Sequence, residues 1–248
     1  MISLTRAPMA LLCVALVCGA VAAQAQATDP AAAMDSAQSA FFKRDAAELA
    51  RLAAATAPWA KSTNPTEVYA HAYVQFRALQ AAVGAKRNKD AAESGAACVS
   101  ALDGAIGRDP RFAEAFALQS ACYGYLANLG GFGAIRNGSR SGKSLEPALA
   151  LAPQNPRVIL VEGFGVYFRP KFVGGDEAKG CERFGAAVAA FAERGNRDPA
   201  PYNWGAAEAH YWVGRCAAKA GDAAAARRSF EAALTLAPQF AAATAALK

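Results

Sequence analysis

Apolar residues recur at helical spacing along most of the chain, and the pattern is clearest over residues 207–240. The second half of this segment carries a regular series: Ala226, Phe230, Ala233 and then Pro238. Steps of four and three residues place the apolar members on one face of a helix. Proline ends the pattern because it lacks the amide hydrogen that a helix needs. Since Gly221 interrupts the pattern, two helices joined by a short turn are predicted here.

The ending of this segment occurs twice more. The same spacing is found in Leu102, Ala105 and Pro110, and again in Leu145, Ala148 and Pro153. Such internal repetition is typical of helical repeat proteins, in which neighbouring units bury one another's apolar faces. We therefore predict an N-terminal helical capping segment over residues 28–64 and a repeat array over residues 65–248, with units at about 66–110, 113–153, 157–198 and 207–240.

The repeated unit resembles the tetratricopeptide repeat (TPR), a helix–turn–helix of about 34 residues. The resemblance rests on the small Gly214, on the turn residue Gly221 and on the apolar series of the second helix. His210 and Ala217 depart from it, because the family usually has bulky aromatic residues at these positions. The resemblance implies an all-α fold, in which antiparallel helix pairs stack into a right-handed superhelix with a concave face.

A second resemblance covers residues 155–214. The string Asn155-Pro-Arg precedes one predicted helix, and Pro170 is followed by a Gly174-Gly-Asp turn before the next. These features are similar to a group of exported bacterial repeat proteins. The likeness implies export but no particular activity.

The first 27 residues are predicted to be a cleaved signal peptide. Arg6 precedes an uncharged apolar run over residues 7–23, and small residues in an A-x-A pattern follow. A transmembrane anchor is the alternative, but the run is short for crossing a bilayer. Lipid attachment at Cys18 is disfavoured, because Val17 stands where a small residue is required. We expect a periplasmic or secreted protein with no stable membrane insertion after cleavage.

Composition and charge narrow the choice of partners. The chain is 54% hydrophobic and rich in alanine, the best helix former. Its net charge is +6, yet the basic residues are scattered and do not alternate with aromatic residues, as a nucleic-acid platform would require. No nucleic-acid partner is expected.

Four cysteines remain after the signal peptide: Cys98, Cys122, Cys181 and Cys216. An even number in an exported chain favours disulfides. Cys122 and Cys216 occupy equivalent places in the repeat, and Cys98 and Cys181 each lie on the preceding second helix. The pattern predicts Cys98–Cys122 and Cys181–Cys216, and four buried free thiols are the alternative.

Motifs that suggest catalysis are weak. The segment from Gly138 to Ser144 resembles a phosphate loop but has three residues between its glycines instead of four, so a turn entering a second repeat helix is predicted. His71 and His210 have no second ligand at metal spacing. We expect no cofactor, no metal site and no enzymatic activity.

The resemblance to TPR proteins implies that ligands contact first-helix residues on the concave face. In the last unit these are Glu208, Tyr211 and Arg215, and Glu114 corresponds in an earlier unit. Spacings of three and four form a mixed stripe suited to an extended peptide. We therefore expect a periplasmic TPR scaffold that binds an unidentified protein or peptide of the cell envelope.

The alternative is a helical repeat protein that binds a small ligand and accompanies an envelope transporter. Aromatic residues available to such a pocket are Tyr123, Tyr125, Phe132, Tyr167 and Phe168. An enclosed apolar channel would favour this alternative, whereas a solid core with an open groove would favour the scaffold.

Overall fold

The computed structural model describes residues 29–195 and 203–248, and within these ranges it contains α-helices and 3-10 turns but no strand. The predicted signal peptide lies outside the described residues. The helices are α1 (Pro30–Lys43), α2 (Ala46–Thr56), α3 (Pro65–Gly84), α4 (Asn88–Arg108), α5 (Ala113–Ala127), α6 (Gly133–Leu151), α7 (Pro156–Phe168), α8 (Glu177–Arg194), α9 (Ala206–Lys219), α10 (Ala223–Leu236) and α11 (Ala241–Ala246). Short 3-10 turns span Ala57–Lys61 and Lys171–Val173. The all-α prediction is confirmed.

Side-chain caps fix where many of these helices begin. Asn64, Asn155 and Asp222 each accept a hydrogen bond from a backbone amide in the first turn of the helix that follows. Pro65 and Pro156 occupy the first helical position, where the missing amide hydrogen costs nothing. Each such cap stabilises its helix by about 1 kcal/mol.

The helices pair in sequence order as antiparallel neighbours: α3 with α4, α5 with α6, α7 with α8, and α9 with α10. Close approach within a pair depends on glycine. A Cβ added at Gly214 of α9 would lie 2.6 Å from the ring of Phe230 on α10, and one at Gly163 would lie 2.8 Å from the ring of Phe184. Both glycines therefore let an aromatic ring of the second helix pack directly on the backbone of the first.

One local prediction is wrong. The segment from Gly138 to Ser144 was expected to be a turn, but α6 begins at Gly133 and the whole segment lies inside it. Its glycines have ordinary helical backbone angles, since neither Gly138 nor Gly142 is among the residues with positive φ. Helix continuity across the segment also removes the loop that a phosphate would need.

Both predicted cysteine pairs are present at bonding distance. Cys98 on α4 joins Cys122 on α5 with a Cα–Cα distance of 6.6 Å, and Cys181 on α8 joins Cys216 on α9 at 5.9 Å. Each bond therefore links the second helix of one pair to the first helix of the next. Such cross-links stabilise a fold by about 2–4 kcal/mol each.

The stack closes on itself. Phe42 of α1 stacks on Phe240, which precedes α11, with ring centroids 4.1 Å apart. The indole Nε1 of Trp204 donates a hydrogen bond to the Tyr69 hydroxyl on α3 at 3.0 Å. The beginning and end of the array are thus in contact, and Trp204, which is only 2% exposed, occupies the interior of the concave face.

Candidate functional site

The first helices of the pairs converge on a cavity of about 140 Å³, which we call the central chamber. Residues of α3, α5, α7 and α9 line it, together with residues from α1 and from the chain around α11. Its aromatic walls are formed by Phe41, Phe76, Tyr125, Phe164, Trp204, Tyr211, Trp212 and Phe240. The chamber exists because the stack closes and its ends supply part of the wall.

The walls are held by ring-to-ring contacts between helices. Phe76 on α3 meets Tyr125 on α5 edge to face, with centroids 5.7 Å apart. Phe164 on α7 meets Trp212 on α9 in the same way, also at 5.7 Å. Edge-to-face pairs are a favoured aromatic geometry, so the lining is fixed in orientation by packing on several helices.

A buried arginine supplies the charge at the chamber. Arg77 is 1% exposed, and its Nε donates to the Tyr73 hydroxyl while its Nη1 donates to the Gln80 side chain, both at 2.8 Å. Its Nη2 donates to Oε1 of Glu208 on α9. Burial lowers the pKa of the Arg77 guanidinium, but the Glu208 carboxylate and the Tyr73 hydroxyl together raise it by more, so the pKa lies above its ordinary value.

Glu208 keeps one acceptor unused. Its Oε1 is bonded to Arg77, whereas Oε2 is buried and has no hydrogen-bond partner among the described residues. A buried carboxylate oxygen without a donor is costly. Glu208 lines the chamber, and because Oε2 has almost no accessible surface, a donor on a molecule inside would reach it only if the side chain turned towards the chamber.

A second buried ion pair lies beside the chamber. Arg157 on α7 is fully buried, and its Nη1 lies 3.3 Å from Oε1 of Glu114 on α5. The Asn155 side-chain amide donates to the same oxygen at 2.7 Å. The guanidinium also lies over Trp204, 5.8 Å from its ring centroid. This pair joins two neighbouring units and helps to place Trp204.

The structure separates the four residues predicted to form a peptide groove. Glu114 and Glu208 are buried within the two ion pairs, 9% and 7% exposed. Tyr211 lines the chamber and is half-buried. Arg215 is exposed and donates to the Tyr211 hydroxyl at 3.1 Å. Glu208 and Tyr211 therefore meet at the chamber, Arg215 lies beside Tyr211 outside the lining, and Glu114 belongs to the second ion pair. Peptide binding by the four stays a prediction.

Of the aromatic residues suggested for a small-ligand pocket, Tyr125 lines the chamber. Tyr167 and Phe168 pack against the outer side of Trp212, with centroid distances of 5.6 and 5.1 Å, and line a shallow depression at the α7–α8 turn. Tyr123 is buried near Arg140, and Phe132 is fully exposed. The sequence therefore predicts three of the lining residues as binding residues, Tyr125, Glu208 and Tyr211, and does not predict the others.

The two histidines have packing roles. His71 is 4% exposed, its Nδ1 lies 3.0 Å from the Thr56 hydroxyl, and burial lowers its pKa to about 4. Burial also lowers the pKa of His210. Among the described residues, no group of three or more metal-binding side chains comes together. In the same part of the chain, no helix is long and apolar enough to cross a membrane.

Stacked antiparallel helix pairs around a concave interior define a TPR-like helical repeat protein. Neither a family model nor a curated protein matches the chain. Similar solved structures include the following two. The HusA haemophore from Porphyromonas gingivalis has a TM-score of 0.61 and 22% identity, over 78% of this chain and 96% of that one. A thermophilic TPR protein from Thermus thermophilus has a TM-score of 0.52 and 15% identity, over 81% of this chain and 91% of that one. At these identities the likeness shows the fold alone.

Proposed function

We propose that this is an exported binding protein without catalytic activity, which holds a small aromatic molecule bearing a hydrogen-bond donor in the central chamber. The observation that carries the proposal is the combination of an aromatic-walled cavity with a buried, unpartnered carboxylate oxygen on Glu208 among the described residues. Two disulfides are compatible with a compartment outside the cytoplasm.

Size and shape favour a ligand with one ring. The chamber, at about 140 Å³, is close to an engineered apolar cavity of about 150 Å³ that takes up benzene. A flat ring placed between Phe76, Tyr125 and Phe164 would be stabilised by edge-to-face aromatic contacts. A peptide backbone would bring polar groups that these walls cannot satisfy.

The charges at the chamber favour a ligand with a hydrogen-bond donor over an anionic ligand. All three kinds of guanidinium nitrogen of Arg77 already donate to Tyr73, Gln80 and Glu208. Among the described residues that line the chamber, the buried side-chain atom without a hydrogen-bond partner is an acceptor, Oε2 of Glu208. An amine on the ligand would satisfy it, whereas a carboxylate would meet it with repulsion.

The similar fold of HusA supports the proposal of a small ligand, since that protein is called a haemophore. This fold is therefore compatible with the binding of a small molecule. For this chain, an association with an envelope transporter that receives the ligand is part of the proposal.

The test uses the tryptophans of the chamber as reporters. Trp204 and Trp212 line it, so intrinsic fluorescence is titrated with benzylamine, toluene and benzoate, three single-ring probes that differ in their polar group. We expect a saturable change with benzylamine, a weaker one with toluene and none with benzoate. The variant Ala121→Leu, which places a larger side chain in the wall, should abolish the benzylamine response.

The matched control is Ala218→Leu, an equal enlargement at an exposed position of α9. It should bind benzylamine like the unaltered protein, and thermal unfolding should show that both variants are folded. If none of the probes saturates, or if Ala121→Leu responds as the control does, the chamber does not bind such ligands.

A second candidate function is the protein or peptide scaffold. Arg215 favours it, because the guanidinium is exposed and lies 5.5 Å from the ring centroid of Trp212. An ordered, exposed arginine on an aromatic ring is a common contact at protein interfaces. The fluorescence titration also separates the two candidate functions. A scaffold that binds its partner through Arg215 does not use the chamber, so none of the three probes should change its fluorescence in a saturable way.

A further inference from the structure

Large apolar side chains project into solvent at two turns of the array. Among the described residues, the large hydrophobic side chains that are exposed are Phe132, Ile135, Leu151, Phe168, Phe172, Val173 and Leu236. Phe132 is fully exposed, and Ile135 and Phe172 are 88% and 89% exposed. The first two follow the α5–α6 turn, and Phe172 forms the tip of the α7–α8 turn. Such exposure of phenylalanine is costly in water and marks an interaction surface.

The backbone of both turns is built to present these side chains. Gly130 and Gly131 precede Phe132 with φ of 78° and 67°, and Gly174 follows the other tip with φ of 88°. Glycine adopts these angles without strain. The tips are therefore set by the turns themselves and do not depend on a neighbouring element.

The two turns lie on the same edge of the array. Helices α5 and α7 are first helices of adjacent pairs and pack on each other. Each runs antiparallel to its own second helix, so α5 and α7 run in the same direction and their C-terminal ends meet at one edge. We call this edge, with Phe132, Ile135, Phe168, Phe172 and Val173, the apolar edge. Leu151 and Leu236 end second helices and lie at the opposite edge.

The surroundings of the apolar edge are basic. Residues 128–145 and 163–175 contain no Asp or Glu, but they contain Arg136, Arg140, Lys143, Arg169 and Lys171, all exposed. Of the nearest acidic residues in the sequence, Glu146 is exposed on α6, whereas Glu162 pairs with Arg183. Asp176 caps α8 and pairs with Lys179, and Glu177 pairs with Lys219. The edge therefore combines apolar tips with an excess of positive charge.

We infer that the apolar edge docks the protein on the surface of an anionic lipid bilayer. Isolated phenylalanine tips enter the boundary between head groups and acyl chains, while arginine and lysine beside them attract anionic head groups. Phe132 and Phe172 project from turns, and Phe168 borders the shallow depression beside them. Separate projecting tips suit a soft surface better than a folded partner. The docking is peripheral and leaves the helical array outside the bilayer. It would hold the chamber near a membrane transporter, although it rests on different residues.

Vesicle flotation tests the inference. The purified protein is mixed with vesicles of phosphatidylglycerol and phosphatidylethanolamine, or of phosphatidylcholine alone, at low and high salt. We expect binding to the anionic vesicles, loss of binding at high salt, and little binding to phosphatidylcholine. The pair Phe132→Ser and Phe172→Ser should weaken binding by about tenfold or more. Arg136→Gln with Lys171→Gln should also weaken it and reduce its dependence on salt.

Each pair of changes has a matched control. Leu151→Ser with Leu236→Ser removes two exposed apolar side chains from the opposite edge. Arg227→Gln with Arg228→Gln removes two exposed charges from α10. Both controls should bind vesicles like the unaltered protein. All variants share the same N-terminal residues, so any lipid binding by that segment is common to all of them.

Two results would overturn the inference. In the first, the phenylalanine variant floats with anionic vesicles as well as its control does. In the second, the protein does not bind the anionic vesicles. A dimer seen by light scattering that the same variant dissociates would then show that the edge joins two copies of the chain. Benzylamine binding in the chamber should be unchanged by the edge variants, which keeps this test separate from that of ligand binding.

Discussion

The ion pair between Arg77 and Glu208 joins residues 131 positions apart and is nearly sealed from water. Removing one member of a buried pair leaves the other charge without compensation, at a cost of about 3–5 kcal/mol. We therefore expect Arg77→Met to lower the free energy of unfolding by about this amount, measured by urea denaturation. Replacing both residues, as Arg77→Met with Glu208→Leu, should be less damaging than the single change.

Arg51→Met provides the control for that experiment. Arg51 pairs with Glu48 on the surface of α2, with side chains 56% and 31% exposed. Exposed pairs contribute about 0–1 kcal/mol, so this variant should unfold almost like the unaltered protein. If Arg77→Met is equally harmless, the buried pair does not hold α3 to α9.

The equivalence of Glu114 and Glu208 was visible in the repeat, because each follows the alanine that opens its unit. Their burial was not. An arginine inside the apolar sequence of α3 is a signal for a buried, paired charge, and Arg77 met that description. Its partner could not be named, since the closure that brings α9 to α3 depends on the curvature of the whole stack.

Helix pairing depends on glycine in some places and tolerates it in others. Gly214 faces the Phe230 ring so closely that an added Cβ would lie 2.6 Å away, whereas a Cβ at Gly104 of α4 would have nothing within 4 Å. We expect Gly214→Ala to lower the free energy of unfolding by about 1–3 kcal/mol through overpacking. Gly104→Ala should raise it by about 0.5–1 kcal/mol, because alanine is the better helix former.

Thermal or urea unfolding measures whether each glycine variant raises or lowers the free energy of unfolding. If Gly214→Ala were stabilising as Gly104→Ala is, α9 and α10 would be able to move apart around Phe230 without cost. The sequence marks Gly214 as the small residue of the TPR-like pattern, but it does not name Phe230 as the ring that packs there. It did not predict that α6 runs through Gly138 and Gly142, because the local glycines favour a turn and packing on α5 and α7 overrides them.

Closure sets this array apart from an open stack of repeats. In an open stack each unit contacts only its neighbours, so the terminal units open first. Here Phe240 stacks on Phe42 at 4.1 Å and contacts Tyr211 at 5.0 Å between ring centroids. Those contacts tie the last pair to the first helix. They could not be predicted from the sequence, because only a short apolar run follows Phe240 and long-range pairs between aromatic residues leave no periodic pattern.

Amide hydrogen exchange can test whether closure makes the ends cooperative. Phe240→Ala removes the ring that α1 and α9 share, so amides in α1, α10 and α11 should exchange faster together. Amides in α4 and α5, which Cys98–Cys122 joins, should keep their protection. Leu236→Ala is the control, since Leu236 is 55% exposed at the end of α10. Faster exchange confined to α11 would show that the termini meet without stabilising each other. Faster exchange in α1 as well would show that the two ends stabilise each other. Helix α1 is far from Phe240 along the chain, so its response to the loss of this ring comes through the contact between Phe42 and Phe240.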